Sequence, residues 1–173
     1  QFTRVSISKD GLKFNVDSEL LANPYLRAFR WSGNHYAIAM PGVFYRFEEG
    51  LSNFEEGPTL FSEDMRHAAV RVDGNVLQIF FTMAGDSPER IKLSTVDLSD
   101  DWMQWTASDS IDVLSPELPW EGSEMPQEPS KRGLVDGLVN QLRDPAIYQE
   151  DGRTYLLYSV AGESGIAIAE LTL

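Results

Sequence analysis

The chain has no cysteine. That excludes disulfides, thiolate nucleophiles and thiolate metal sites. Positive charge is scarce: 14 Lys and Arg stand against 27 Asp and Glu, a net charge of −13. Nucleic acid and anionic membrane surfaces both want a basic patch, so neither is an expected partner. No apolar run approaches the ~18 residues of a membrane-crossing helix. The chain starts at Gln1 and carries no basic-then-apolar leader, which reads as a processed or truncated start and leaves the compartment open. Helical periodicity is almost absent: residues 134–142 hint at one helical turn, and Gly137 weakens it.

What is present reads as strands. The 173 residues are 42% hydrophobic, enough for the core of one domain. Short runs of Val, Ile, Phe, Tyr and Trp, such as residues 68–72, 76–82 and 154–160, alternate with turn residues. Asp73-Gly74, Asp151-Gly152 and Ser32-Gly33-Asn34 each sit between two such runs, as hairpin turns require. These hairpins repeat. From the turn glycine to the next glycine is 9 residues after Gly33, 11 after Gly74 and 10 after Gly152. Ala84-Gly85-Asp86-Ser87 and Ala161-Gly162-Glu163-Ser164 share one motif, and a further strand follows each. Phe14 and Phe54, at matching points of the pattern, are 40 residues apart.

A period near 40 built from four antiparallel strands predicts an all-β propeller, with about three blades in this chain and an incomplete ring. The expected organisation is one domain. Residues 1–22 are the end of a preceding blade, 23–64 and 65–115 are blades, 116–141 is a long connecting loop, and 142–173 is the last blade. An open ring leaves raw sheet edges and an apolar flank, which predicts a homo-oligomer or missing N-terminal blades. In such a blade the starts of the inner strands, the second loops and the blade-to-blade connections share one face of the disc. That face collects Tyr25, Arg66, His67, Arg143, Asp144 and the 116–141 segment with Trp120 and Glu121. Acids, arginines, a histidine and aromatics together suit a sugar, with carboxylates for its hydroxyls and an aromatic ring under its apolar face.

Residues 142–147, Leu-Arg-Asp-Pro-Ala-Ile, followed by Asp-Gly-Arg-Thr-Tyr-Leu-Leu-Tyr-Ser at 151–159, resemble the blade opening of the five-bladed propeller glycoside hydrolases of arabinanase, xylosidase and invertase type. Residues 8–14, Ser-Lys-Asp-Gly-Leu-Lys-Phe, resemble a third-strand ending common there. The resemblance implies hydrolysis of a glycosidic bond by an Asp base or nucleophile, a second Asp that orients substrate, and a Glu acid. Arg143-Asp144-Pro145 is similar to the Arg-Asp-Pro carrying the second Asp. Trp120-Glu121-Gly122 is similar to the step carrying the acid. Glu121 precedes Asp144, against the family order, so at most one of the two keeps its family role. Asp144 and Glu121 are thus the candidate catalytic acids, and His67, Arg66, Arg143, Trp120 and Tyr25 the candidate substrate contacts. No metal or organic cofactor is expected, and an axial Ca²⁺ stays open. Two functions follow: a glycoside hydrolase, or a non-catalytic carbohydrate-binding or assembly module on the same fold. The first needs two acids about 5–9.5 Å apart on the axial face.

Overall fold

The computed structural model describes residues 1–172. It is all-β, with thirteen strands among the described residues and two short 3₁₀ turns, Trp102–Gln104 and Pro119–Glu121. Residues 134–142 form no helix.

Two strands, β1 (Ser6–Ser8) and β2 (Phe14–Val16), make an N-terminal hairpin. The first blade is β3 (Arg27–Trp31), β4 (Asn34–Ala39), β5 (Val43–Glu48) and β6 (Ser52–Thr59), paired in chain order. The second is β7 (Met65–Asp73), β8 (Val76–Met83), β9 (Ile91–Asp97) and β10 (Ile111–Leu114), again in chain order. The third has three strands, β11 (Arg143–Glu150), β12 (Arg153–Val160) and β13 (Gly165–Leu171). Every strand pairing within these sheets is antiparallel. β7 lies against β3 on one side and β11 on the other, so the first strand of each blade is the innermost. This is the propeller-like arrangement of about three blades that the repeat predicts.

Blades stack because each middle strand is apolar on both faces. In β8, Leu77, Ile79 and Phe81 point to the first blade, where Phe29, Tyr36, Ile38 and Phe44 meet them. Phe80, between them in sequence, points the other way, toward Leu142, Leu156, Tyr158 and Val160 of the third blade. This two-sided burial follows from the period of two in a strand, and each fully buried large side chain contributes roughly 1.5–3 kcal/mol. Trp102 and Trp105 close the first interface from outside, and Asp101 caps their turn by accepting from the Met103 N–H. Trp102 lies so close over Gly57 that a Cβ there would stand 2.1 Å from its ring. The outer face of the first blade, Ala37, Ala39, Val43, Tyr45 and Phe47, is covered by Leu21, Ala22, Leu26 and Phe54.

Register shows how closely the blades repeat. Arg66 and Thr82 pair as Arg143 and Ser159 do, and Asp73 and Val76 as Glu150 and Arg153 do. The second and third blades are therefore equivalent at a constant offset of 77 residues (66 to 143, 82 to 159). The first joins them at an offset of 42, since Trp31 pairs with Asn34 and Arg27 with Ile38 as Asp73 does with Val76 and Ala69 with Phe80. One detail departs from the sequence alignment. Gly74 is equivalent to Asp151, not to Gly152, because strand pairing counts from the last paired residue and not from the glycine.

Candidate functional site at the blade axis

Each inner strand begins with a bulge at the same place. Between Arg66 and Ala69, and between Arg143 and Ala146, the inner strand carries one residue more than its partner. In the first blade the Met40 N–H donates to the Pro24 carbonyl at 3.0 Å while Arg27 pairs with Ile38, which gives the same extra residue. Bulges re-aim side chains. The second residue of each is Tyr25, His67 or Asp144, three equivalent positions on three blades. Tyr25 and Asp144 take left-handed backbone, with φ of 59° and 49°, a conformation that a non-glycine residue holds at a cost of about 1–3 kcal/mol.

These three residues converge. The Tyr25 and His67 rings lie 4.3 Å apart, centroid to centroid. His67 Nδ1 contacts Asp144 Oδ1 as a close pair. Ser159 donates its hydroxyl to Asp144 Oδ2 at 3.3 Å. Burial pushes the Asp144 carboxyl up, but the hydrogen bond and attraction of His67, the Ser159 bond and nearby Arg66 outweigh it and hold the group below the ordinary carboxylate value. Asp144 is therefore an ionised acceptor at neutral pH.

Behind this row lies a second one. Glu89 is fully buried. It accepts from Arg66 Nη1 at 3.1 and 3.3 Å and from Arg143 Nε at 3.1 Å. Arg66 and Arg143 are the equivalent first residues of two bulges, so one carboxylate neutralises the same position on two blades. Burial lowers the Arg66 pKa, Glu89 opposes that, and Arg143 and Arg132 reinforce it. Both arginines also hold the long connection in place. The Lys131 carbonyl accepts from Arg66 Nη1 at 3.1 Å and Arg143 Nη2 at 3.2 Å, and the Gly133 carbonyl from Arg143 Nη1 at 3.2 Å. Glu163 accepts from Arg143 Nη1 at 3.1 Å. Ser130 completes the seam, its carbonyl accepting from the Gly85 N–H at 3.0 Å.

The result is a cavity of about 610 Å³ walled by Tyr25, His67, Arg66, Glu163 and the Arg132-Gly133-Leu134 strip. Five of the seven residues expected from the sequence thus meet at the axis: Tyr25, His67 and Asp144 in front, Arg66 and Arg143 behind. Trp120 and Glu121 do not join them. Trp120 is exposed and lines none of this cavity. Glu121 is buried and accepts the Tyr158 hydroxyl at 2.9 Å on Oε1 and the Glu117 and Leu118 N–H groups at 2.9 and 3.0 Å on Oε2. Tyr158 and Ser159 are neighbours in one strand and point to opposite faces of the sheet. Glu121 bonds the first and Asp144 the second, so the two acids address opposite faces. The expected Glu121–Asp144 pair is not formed, because three donors of its own loop and blade fold Glu121 inward. Burial and the Glu121 bond push the Tyr158 hydroxyl up to about 12, which keeps it a donor.

The sequence pattern gives Glu89 and Glu163 no role at the axis: the loop at 86–90 reads as a charge cluster away from it. Asp86, Arg90, Lys92 and Asp112 do form such a cluster. Glu89, in the same loop, turns inward instead. The signal available for Glu163 was its place in the repeated Ala-Gly-acid-Ser motif on the axial side. Nothing local marks Glu89, whose partners lie 23 and 54 residues away.

The fold defines a propeller-like protein whose axial face carries one bulge residue per blade. Among solved structures the chain is similar to Cellvibrio cellulosa alpha-L-arabinanase complexed with arabinohexaose, with a TM-score of 0.53 at 10% identity over 92% of this chain and 60% of that one. At that identity the likeness is one of fold. Among curated proteins it is 36% identical over 184 residues to Uncharacterized protein R118 of Acanthamoeba polyphaga mimivirus, a match covering 96% of this chain and 52% of that protein. The chain thus spans about half the length of that relative. No protein-family model matches it.

Proposed function

We propose that the axial cavity binds the end of an oligosaccharide. The observation that carries this reading is the convergence of Tyr25, His67 and Asp144 from equivalent positions of three blades, Tyr25 and His67 on the cavity wall and Asp144 paired to His67 beside it. Tyr25 is 43% exposed and offers a ring face. Asp144 offers an ionised oxygen held in place by two donors, which suits a sugar hydroxyl. The cavity lies within the range of about 300–1,000 Å³ for small-ligand sites. The arabinanase of similar fold was solved with arabinohexaose.

Calorimetric titration with linear arabino-, xylo- and fructo-oligosaccharides tests this. One series is expected to bind. Tyr25→Ala and Asp144→Asn are each expected to weaken it by about tenfold or more, the loss of roughly 1.4 kcal/mol. Binding by none of the series, or full affinity in both variants, overturns the reading.

Hydrolysis is a second reading, favoured by the ionised state of Asp144. Water would add to the anomeric carbon as the glycosidic C–O bond breaks, with Asp144 as the base that takes the proton of that water. The proton for the leaving oxygen would then come from Glu163 on the cavity wall, once protonated and released from Arg143, and not from Glu121, which faces away. Reducing-sugar release abolished by Asp144→Asn and by Glu163→Gln, but retained in a Glu121 variant that folds, is the expected pattern.

A further inference from the structure

A second cavity, of about 400 Å³, lies within the long connection that follows the second blade, and every residue lining it falls between 125 and 141. Met125, Val135, Leu138 and Val139 give it apolar walls. It adjoins the axial cavity along Arg132 and Leu134, which line both. Its walls are fixed. Asn140 donates its side-chain amide to the Ser123 and Met125 carbonyls at 3.3 and 3.1 Å, which ties the two ends of the loop together. The Val139 N–H donates to the Ala161 carbonyl at 3.4 Å and the Gly162 N–H to the Gln141 carbonyl at 3.0 Å, which ties the loop to the third blade. Val139 packs so tightly there that a Cβ on Gly162 would stand 2.8 Å from its Cγ2. Small-ligand sites are usually preformed in this way.

Two polar features set the kind of ligand. The first is a pair of unmatched cations. Beyond residue 30 the chain has nine Lys and Arg, and seven of them form ion pairs with carboxylates. Lys131 and Arg132 pair with no carboxylate among the described residues, although the chain carries a net charge of −13. They are neighbours, both exposed and both on this wall. Arg132 donates to the Glu63 carbonyl and keeps further donors. Glu128 is the single acid on the wall, so the lining is net positive. The second feature is Gln141. It lines the cavity at 6% exposure, and its side-chain oxygen meets no donor among the described residues. A buried polar side chain of that kind calls for a partner, and an amide can turn either its oxygen or its NH₂ to the same place.

We propose that this cavity binds a small organic carboxylate with an apolar body. Lys131 and Arg132 hold the carboxylate at the mouth through charge-assisted bonds, the Gln141 amide meets it from within, and the Met, Val and Leu walls take the body. A neutral sugar would leave both cations unmatched and set its hydroxyls against aliphatic side chains. The site is separate from the axial one and does not rest on the saccharide reading.

A chemical-shift titration of the whole ¹⁵N-labelled chain with 3-phenylpropionate tests this. Saturable binding with a Kd of about 1 mM or tighter is expected, a modest affinity for so small a ligand. The shifts should centre on residues 125–141. Two probes separate the contributions: 3-phenylpropionamide keeps the body without the charge, and gluconate keeps the charge without the apolar body. Each is expected to bind at least about tenfold more weakly. Lys131→Glu reverses an exposed charge and leaves the backbone carbonyl that Arg66 and Arg143 use. It is expected to keep the native spectrum elsewhere and to weaken 3-phenylpropionate by about tenfold or more. Four results each overturn the proposal: no saturable binding, equal affinity for either probe, undiminished affinity in Lys131→Glu, or shifts centred on Tyr25 and His67.

Discussion

Glu89→Gln tests the double row of axial residues most sharply. The substitution keeps shape and removes charge. In the native protein one fully buried carboxylate accepts from two arginines of 3% and 0% exposure. Without it, Arg143 keeps Glu163 and the Lys131 and Gly133 carbonyls, while Arg66 keeps the Lys131 carbonyl. Two guanidiniums then face each other with no anion between them. Breaking a buried pair by removing one partner costs about 3–5 kcal/mol. For a chain of this size each kcal/mol lowers Tm by roughly 2–4 °C, so the expected drop is about 6–20 °C. Glu163→Gln is the internal control. Its side chain is 31% exposed and serves one arginine, so it resembles a surface pair worth about 1 kcal/mol or less. Thermal melts followed by circular dichroism read both. Hydrogen exchange at residues 130–134 adds a second readout, since both arginines hold that segment by its carbonyls. A fall below about 2 °C for Glu89→Gln, a single-kcal/mol effect, or equal falls for the two variants, would refute the assignment of Glu89 as the shared counter-ion.

Asp144→Asn is expected to lose stability at neutral pH. The folded carboxyl sits below its ordinary value, so its contribution is present above the unfolded pKa of about 3.9 and fades as pH falls through the folded pKa. Urea titrations of wild type and variant should therefore differ at pH 7 and converge below about pH 4. Gly57→Ala pushes a Cβ to 2.1 Å from the Trp102 ring, and overpacking of this kind costs about 1–3 kcal/mol. A lowered Tm with shifted tryptophan emission is expected. Tyr158→Phe removes one of the three donors to buried Glu121. A loss of roughly 1–3 kcal/mol in chemical denaturation with no change in saccharide affinity would show that Glu121 serves the fold.

The strands and their repetition were legible because a period of two and glycine turns are local signals. The axial positions were legible for a related reason. Once the hairpins are in register, the residues at inner-strand starts must share a face, and Tyr25, His67 and Asp144 follow. What sequence could not carry was side-chain partnership within the loops. Trp120-Glu121-Gly122 has the look of a catalytic step, yet Gly122 adopts φ 92° with the Val139 carbonyl 2.2 Å from where a Cβ would be. That close approach turns the loop so that Glu121 caps backbone and meets Tyr158. Glu89 shows the converse. Standing three residues from Lys92, which faces outward to pair with Asp112, counts for little when two buried arginines wait on the other side.

The two seams between blades differ in kind, and that has a consequence for how the cavity is held. The seam between the first and second blades is aromatic and aliphatic, crowded with Phe29, Tyr36, Phe44, Trp102 and Trp105. The seam between the second and third adds to its apolar contacts a carboxylate held jointly by an arginine from each blade. Apolar burial is non-directional and holds by area alone, whereas charge-assisted bonds to a carboxylate fix distance and angle. The chain is therefore a row with one joint held by area and one held by register. The axial cavity, shared across both joints, takes its alignment from the second, where Glu89 ties the inner strands of two blades together.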